Sequence, residues 1–152
     1  NMDTIEEFNK KLDKSSRLLG LDLGKKRIGV AICDSNKKIA TPYTTLIKAN
    51  LNDFLNELKK IISENDIQGL VIGNPINMDG TYGKSAQSVN DFSKLISKNI
   101  SLPITLWDER LSSSAAYKLS SEIDIKAAKK IKKIDENSAA FILQGAIDFL
   151  NN

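Results

Sequence analysis

The chain has 152 residues, of which 41% are hydrophobic and 27% are charged, and its net charge is +3. This length suits one compact domain, and no apolar run approaches the roughly 20 residues of a membrane span. The sequence contains no histidine and a single cysteine, Cys33. It therefore excludes Ser-His-Asp triads, Cys-His pairs and zinc sites of the usual nitrogen and sulfur type. Any chemistry must depend on carboxylates, lysines, arginines and hydroxyls.

The cysteine usage and the N-terminal stretch predict where the protein works. Cys33 lies in an apolar run and cannot form an intrachain disulfide, which is typical of a reducing compartment. The first residues lack the apolar core and small-residue cleavage site of a signal peptide. We therefore expect a soluble, cytoplasmic protein without a membrane partner.

The first half of the predicted domain is strand-rich. Residues 1–16 are polar and predict a short helix or a loose tail, followed by a single domain over residues 17–152. Three strands, Leu18–Leu23, Arg27–Cys33 and Ile39–Ile47, are joined by turn-forming residues. This pattern predicts an antiparallel meander.

Helices and strands then alternate. Apolar residues at helical spacing predict helices over Leu51–Glu64 and Lys84–Lys98. The continuous apolar run Ile67–Gly73 predicts a strand buried on both faces, and Leu102–Trp107 predicts a fifth strand.

Two further helices, Ser112–Glu122 and Asp135–Leu150, complete the predicted order. Three antiparallel strands followed by alternating helices and parallel strands predict an α/β fold with a mixed five-stranded sheet. We expect the strand order 3-2-1-4-5 with helices on both faces, which is the element order of a ribonuclease H-like domain.

Asp22 interrupts the apolar first strand. A buried carboxylate is costly unless it is hydrogen-bonded, paired or bound to a metal. Because side chains alternate along a strand, Asp22 shares a face with Gly20 and Gly24, and these glycines are expected to clear space for a metal ion or a sugar-phosphate chain. The alternative is that Asp22 and Gly24 only begin a turn.

Two neighbouring acids, Asp108 and Glu109, follow the fifth strand, where ligands collect in sheets of this kind. Only one of them can point squarely at a site, and the alternation of side chains does not decide which. The adjacent Arg110 offers a second interpretation, in which it is an internal ion-pair partner.

A fourth acid, Asp135, lies at the predicted start of the last helix, where it could serve as an N-cap. It also continues the apolar stripe of that helix, which predicts that its carboxylate points toward the sheet and Asp22. Both roles are compatible.

Together these acids predict a metal site. Carboxylates at close range raise one another's pKa, so such a cluster needs cations, and Mg²⁺ or Mn²⁺ suits oxygen ligands. Two ions about 3.5–4 Å apart would activate a water for attack on phosphorus, which indicates phosphodiester hydrolysis. The first and fifth strands would lie about 9–10 Å apart. Gly73, at the end of the strand between them, would leave that gap open.

Basic residues are concentrated in one segment, KAAKKIKK, over residues 126–133. Such a cluster is typical of a contact with a phosphate backbone, although a solvated helix face or a mobile loop is the more ordinary interpretation of an isolated lysine run. The predicted nucleic-acid contacts in this segment are Lys126, Lys129, Lys130 and Lys133.

Four ordered motifs resemble one known family. They read GLDLGKKRIGVA, IGNPINMDGTYGKSA, DERLSS and IDENSAAFILQ. They are similar to those of the YqgF/RuvX family, described as pre-16S ribosomal RNA nucleases and as Holliday junction resolvases. The resemblance implies a ribonuclease H-like fold, metal-dependent cleavage of nucleic acid, and metal-binding acids at Asp22, Glu109 and Asp135, with Asp108 as a close neighbour.

The resemblance also bears on phosphate contacts and has one departure. Lys26 and Arg27 follow the first strand, and the loop before Lys84 leads into a helix N-terminus, so these residues and Arg110 are expected to contact phosphates. The family usually has Gly-Leu-Pro where this chain has Gly-Asn-Pro, which places the polar Asn74 at the mouth of the predicted cleft.

Several functions stay open at this point. The partner is either precursor ribosomal RNA or branched DNA, and the protein is a monomer or a homodimer. A binding factor on ribosome precursors without cleavage is a third possibility. The hairpin DLGKKRIGVA also resembles the phosphate-binding hairpin of actin-like and sugar-kinase-like proteins, but those need two such domains to enclose a nucleotide.

Overall fold

A computed structural model of the chain describes residues 2–13, 15–111 and 131–152. The predicted helix Ser112–Glu122 and three of the predicted lysine contacts, Lys126, Lys129 and Lys130, lie outside the described residues.

The centre of the fold is one mixed sheet with the strand order β3-β2-β1-β4-β5. β1, β2 and β3 pair antiparallel, whereas β4 lies parallel to β1 and β5 parallel to β4. The predicted order and the predicted mixture of strand directions are therefore confirmed. The strands are β1 (Arg17–Leu23), β2 (Arg27–Cys33), β3 (Ala40–Ile47), β4 (Ile67–Asn74) and β5 (Ile104–Asp108).

Four α-helices accompany the sheet in the part of the chain that the structure describes. Side chains cap two of them. Thr4 accepts a hydrogen bond from the Glu7 amide at 3.2 Å, and Asn50 accepts one from the Asp53 amide at 3.1 Å. The helices are α1 (Ile5–Lys10), α2 (Leu51–Glu64), α3 (Lys84–Asn99) and α4 (Ile131–Leu150), with a short 3-10 helix at Glu109–Leu111 after β5.

The two faces of the sheet are covered by different helices. Leu19 and Leu21 of β1 belong to a core that contains the apolar stripes of α2 and α3. Leu18, on the opposite face, belongs to a second core that contains residues of α1 and α4. The predicted placement of helices on both faces is confirmed. None of the helices in the described ranges is long and apolar enough to cross a membrane.

The start of α4 differs from the prediction. The helix begins at Ile131, four residues before the predicted start, so Asp135 lies inside the helix and is not its N-cap. Lys132 and Lys133 have good helix propensity, which favours an additional turn at this end. The carboxylate of Asp135 is thus available to partners outside its own helix.

The N-terminal segment is packed against the sheet. The Asp3 amide donates to the Ile104 carbonyl at 2.7 Å, and Phe8 of α1 is completely buried. Gly69 of β4 accommodates the ring, because a Cβ atom there would lie 2.7 Å from Phe8 Cζ. The division into residues 1–16 and a nuclease domain over 17–152 stays a prediction.

Replacing Phe8 with alanine should lower the free energy of unfolding by about 3–5 kcal/mol, because it leaves a cavity under β4. Asn9→Ala, at an exposed position of the same helix, should change it by less than about 0.5 kcal/mol. Urea unfolding of both variants measures the difference. Equal stability of the two variants would mean that α1 does not pack on the sheet in solution.

Candidate active site

Three carboxylates line one cavity of about 380 Å³ at the end of the sheet. Asp22 comes from β1, Glu109 from the 3-10 helix after β5, and Asp135 from α4. These are the three acids that the sequence predicted as a group, and the structure places them around the same space.

The sheet register explains how Asp22 and Glu109 come to line one cavity. Leu21 of β1 pairs with Ile72 of β4, which in turn pairs with Leu106 of β5. Asp22 and Gly73 each follow these residues by one position, so they lie level on adjacent strands. Since side chains alternate, Asp22 projects to the face covered by α4, and β4 contributes only Gly73 between the two acids.

The two glycines that flank Asp22 differ from each other. A Cβ atom at Gly20 would lie 2.8 Å from Leu143 Cβ, so this glycine admits α4 and not a ligand. Gly24 lines both this cavity and the one beside it, and a Cβ atom there would lie 2.5 Å from the Arg27 carbonyl oxygen. The expectation that the glycines clear ligand space is therefore wrong for Gly20, because α4 occupies that space.

Gly73 lines the cavity between Asp22 and Glu109. A Cβ atom there would lie 3.1 Å from Glu109 Oε2 and 2.5 Å from Ile142 Cδ1. Any side chain at this position would therefore compete with the carboxylate and with α4 for the same space.

The structure separates Asp108 from Glu109. Arg110 donates to Asp108 through Nε at 3.0 Å and through Nη2 at 2.7 Å. These hydrogen bonds lower the pKa of Asp108 and raise that of Arg110. Glu109, in contrast, lines the cavity. The interpretation of Arg110 as an internal ion-pair partner thus holds for Asp108, which does not line this cavity.

Asp135 is held by an arginine from the first hairpin. Arg27 Nε donates to Asp135 Oδ2 at 2.7 Å, and both side chains are partly exposed. Arg27 was expected to hold a phosphate. In this structure its guanidinium instead neutralises one of the three acids of the cavity.

Ser138 is a cavity residue that the sequence did not single out. It lies one helical turn after Asp135, lines the same cavity, and is 1% exposed. Its hydroxyl is buried without a hydrogen-bond partner among the described residues. The spacing of three residues from Asp135 on one helix face could have indicated it.

A second cavity of about 420 Å³ adjoins the first and is basic. Lys25, Lys48 and Lys84 line it, and the two cavities share Lys25 and Ser85 among other residues. Lys84 was predicted as a phosphate contact, whereas Lys25 and Lys48 were not. Lys48 follows β3, and Lys84 begins α3, so only the tertiary structure brings these ammonium groups together.

The loop before α3 ends at Gly83, which caps the helix without a side-chain hydrogen bond. The first amides of α3 therefore lack a side-chain partner at their cap, close to Ser85 of both cavities. Asp79 forms its hydrogen bonds within the loop. Its carboxylate accepts from the Thr81 amide at 3.0 Å and from the Thr81 hydroxyl at 2.7 Å. These bonds lower the pKa of Asp79.

Two further predicted nucleic-acid contacts are Lys26 and Lys133. Lys26 does not line either of these two cavities. Lys26 is exposed and lies beside a wide cavity of about 700 Å³ with Ile47 and Ala49. Lys133 lies in the first turn of α4.

Known proteins resemble this chain in sequence and in fold. Residues 16–149 match the sequence profile of the RuvX family, described as Holliday junction resolvase. The chain belongs to the RuvX family. A protein of Pelagibacter ubique named "Putative pre-16S rRNA nuclease" is 58% identical over 99% of this chain and 100% of its own length. One of Rhodobacter capsulatus with the same name is 42% identical over 96% of this chain and 92% of its own length.

The fold also has a solved counterpart. The structure of "T. thermophilus RuvC in complex with Holliday junction substrate" aligns with a TM-score of 0.53, at 8% identity, over 87% of this chain and 93% of that chain. This RuvX family chain thus has a RuvC-like, ribonuclease H-like fold, as predicted.

The cavity of this RuvX family member can be tested for its fit to a metal ion. Within the described ranges, no three Asp, Glu or Cys side chains are gathered closely enough to hold one. The donor set is nevertheless of the hard oxygen type that Mg²⁺ and Mn²⁺ prefer, and the unpartnered Ser138 hydroxyl lines the cavity. The donor set therefore suits a divalent cation by its chemistry, and an ion bound at Asp135 would compete with Arg27.

Replacing Arg110 with glutamine should raise the pKa of Asp108 toward the ordinary value of about 3.9, because the guanidinium bonds are lost. The sign for stability follows from the lowered folded-state pKa. The ion pair contributes to the free energy of unfolding at pH values above the pKa of Asp108 in the unfolded chain. This contribution is lost as the pH falls through the lower pKa of Asp108 in the folded protein.

Carboxyl-carbon NMR titration of both proteins measures the pKa change. Asp34, whose pKa is lowered by the Ile39 and Lys38 amides, is the internal reference and should not move. An unchanged Asp108 pKa would contradict the ion pair.

Proposed function

We propose that this protein is a metal-dependent endonuclease that hydrolyses phosphodiester bonds and matures the 5′ end of pre-16S ribosomal RNA. The observation that carries the proposal is the pairing of an acidic cavity, lined by Asp22, Glu109 and Asp135, with a basic cavity beside it. The names of the 58% and 42% identical relatives support the choice of ribosomal RNA.

The basic cavity supplies the binding half of this function. Lys25, Lys48 and Lys84 surround a space of about 420 Å³ that suits a polyanionic backbone. The uncapped amides at the start of α3 add donors for a phosphate oxygen. Binding of this kind is independent of sequence and depends strongly on salt.

The acidic cavity supplies the chemical half. Asp22, Glu109 and Asp135 would hold the cation, and the unpartnered Ser138 hydroxyl lines the same cavity. When bound, a divalent cation offsets the charge of the carboxylates and of the phosphate and lowers the pKa of a bound water. Arg27, once released from Asp135, would be free to pair with a phosphate of the substrate.

Asp22→Asn should lower the cleavage rate by about two orders of magnitude or more while substrate binding is kept, because the substitution removes a negative oxygen ligand and leaves the lysines intact. The assay compares labelled pre-16S leader RNA and a four-way DNA junction, with Mg²⁺ or Mn²⁺ and with a chelator. Asp53→Asn, at an exposed carboxylate of α2, is the matched control and should cleave normally.

The outcomes of this assay separate the alternatives. Metal-dependent cleavage of the RNA alone supports the proposal. Cleavage of the junction alone would favour resolution of DNA junctions, the activity named in the family description. A resolvase cuts two strands symmetrically, so a stable dimer would accompany that result and a monomer would count against it. Well-folded protein that binds but never cleaves would indicate a binding factor.

Ser138→Ala tests the metal assignment without an activity measurement. We expect metal affinity to fall about tenfold, since partners around metal ligands typically matter by 10–100-fold. The metal-free variant should be at least as stable as the wild type, because a buried, unpartnered hydroxyl is removed. Isothermal titration and thermal unfolding, with and without Mn²⁺, measure both effects.

Ser93→Ala is the matched control for that experiment. Ser93 is also completely buried, and its hydroxyl is also without a partner among the described residues, but it lies on α3 and does not line the acidic cavity. Metal affinity that falls equally in both variants, or in neither, would remove Ser138 from the metal site.

A further inference from the structure

A buried amide follows Gly73 at the end of β4, and the alternation of side chains places it on the opposite face of the sheet from Gly73. Asn74, the residue at which this chain departs from the Gly-Leu-Pro pattern, ends β4 and is 4% exposed. Its neighbours Gly73 and Pro75 both line the acidic cavity. The Asn74 side-chain oxygen is buried without a hydrogen-bond partner in the described part of the chain. Burying such an amide is unfavourable. The hydrogen bond that its side-chain nitrogen makes therefore indicates the role of the residue.

That hydrogen bond goes to an exposed aromatic residue. Asn74 Nδ2 donates to the Tyr82 hydroxyl oxygen at 3.1 Å. The rest of Tyr82 faces solvent, with 59% of the residue exposed. The ring is thus restrained at both ends, by its backbone and by its hydroxyl group.

Residues next to Tyr82 and Asn74 in the chain line the two cavities. Tyr82 precedes Gly83, the cap of α3, and is two residues before Lys84 of the basic cavity. Its hydroxyl group contacts Asn74, between two residues of the acidic cavity. A nucleic-acid strand with its phosphates in these cavities would carry its bases past this ring.

We propose that Tyr82, positioned by Asn74, is a stacking platform for an unpaired base next to the cleaved bond. This inference rests on the proposed nuclease function. An aromatic ring stacks on any base, but only an unpaired base can leave its own stack to reach it. The substrate class is therefore nucleic acid with single-stranded nucleotides at the cleavage site, and fully paired duplex is a poorer ligand.

The test measures binding in chelator, so that no cleavage takes place. Fluorescent single-stranded RNA and a fully paired duplex are titrated into the wild type, Tyr82→Ala, Tyr82→Phe and Asn74→Leu. Tyr43→Ala is the matched control, because Tyr43 is also exposed and its hydroxyl oxygen accepts from the Asn65 side chain at 3.3 Å, but on β3.

We expect Tyr82→Ala to weaken single-strand binding by about 5- to 100-fold, the range measured for loss of one stacked base. Tyr82→Phe and Asn74→Leu both keep the ring and lose the hydrogen bond that positions it, so the single-strand affinity of each should fall between that of the wild type and that of Tyr82→Ala. Duplex binding should change less than about twofold in all variants. A fluorescent 2-aminopurine in the single strand should be quenched by the wild type and Tyr82→Phe but not by Tyr82→Ala.

Other results would overturn the inference. Unchanged single-strand binding in Tyr82→Ala, an equal loss for single strand and duplex, or the same loss in Tyr43→Ala would each exclude stacking by Tyr82. Thermal unfolding shows whether each variant is folded. If Tyr82→Ala does not fold, the test rests on Tyr82→Phe and Asn74→Leu, because unchanged single-strand binding in both would then exclude a base stacked on a ring that Asn74 positions. Failure of the proposed function looks different, since the wild type would then bind RNA and leave it uncut when Mg²⁺ or Mn²⁺ is added.

Discussion

The close contact between α4 and the central strand β1 is the constraint on which the candidate site depends. Gly20 has no side chain, and a Cβ atom there would lie 2.8 Å from Leu143 Cβ and 3.0 Å from the Ala139 carbonyl oxygen. Because the helix backbone approaches the strand this closely, its position along β1 is fixed. That position brings Asp135, two turns before Leu143, to the cavity that Asp22 lines.

The strand order sets the distance between Asp22 and Glu109. Since β4 separates β1 from β5, Asp22 and Glu109 come from strands about 9–10 Å apart. They line one cavity because Gly73, the β4 residue between them, has no side chain. Gly73 is also a point of close contact with α4, because the side chain of Ile142 lies against it.

Charge is distributed unequally around this end of the sheet. Arginines pair with two of the acids, Arg27 with Asp135 and Arg110 with Asp108. Lys25 lines both the acidic and the basic cavity, whereas Lys48 and Lys84 line only the basic one. A phosphate held by the lysines would approach the carboxylates against their repulsion, so the arrangement favours a reaction in which a cation is bound between them.

The sequence by itself determined most of the secondary structure of the described region, the strand order, the family, and Asp22 and Asp135 together with one of the pair Asp108 and Glu109, because apolar periodicity and ordered motifs are local properties. Only the tertiary structure decided that Glu109 and not Asp108 lines the cavity, and that Arg27 pairs with Asp135, 108 residues away. Gly20 and the start of α4 were misread for the same reason. Which atoms meet across distant segments depends on packing, and local patterns in the chain do not record it.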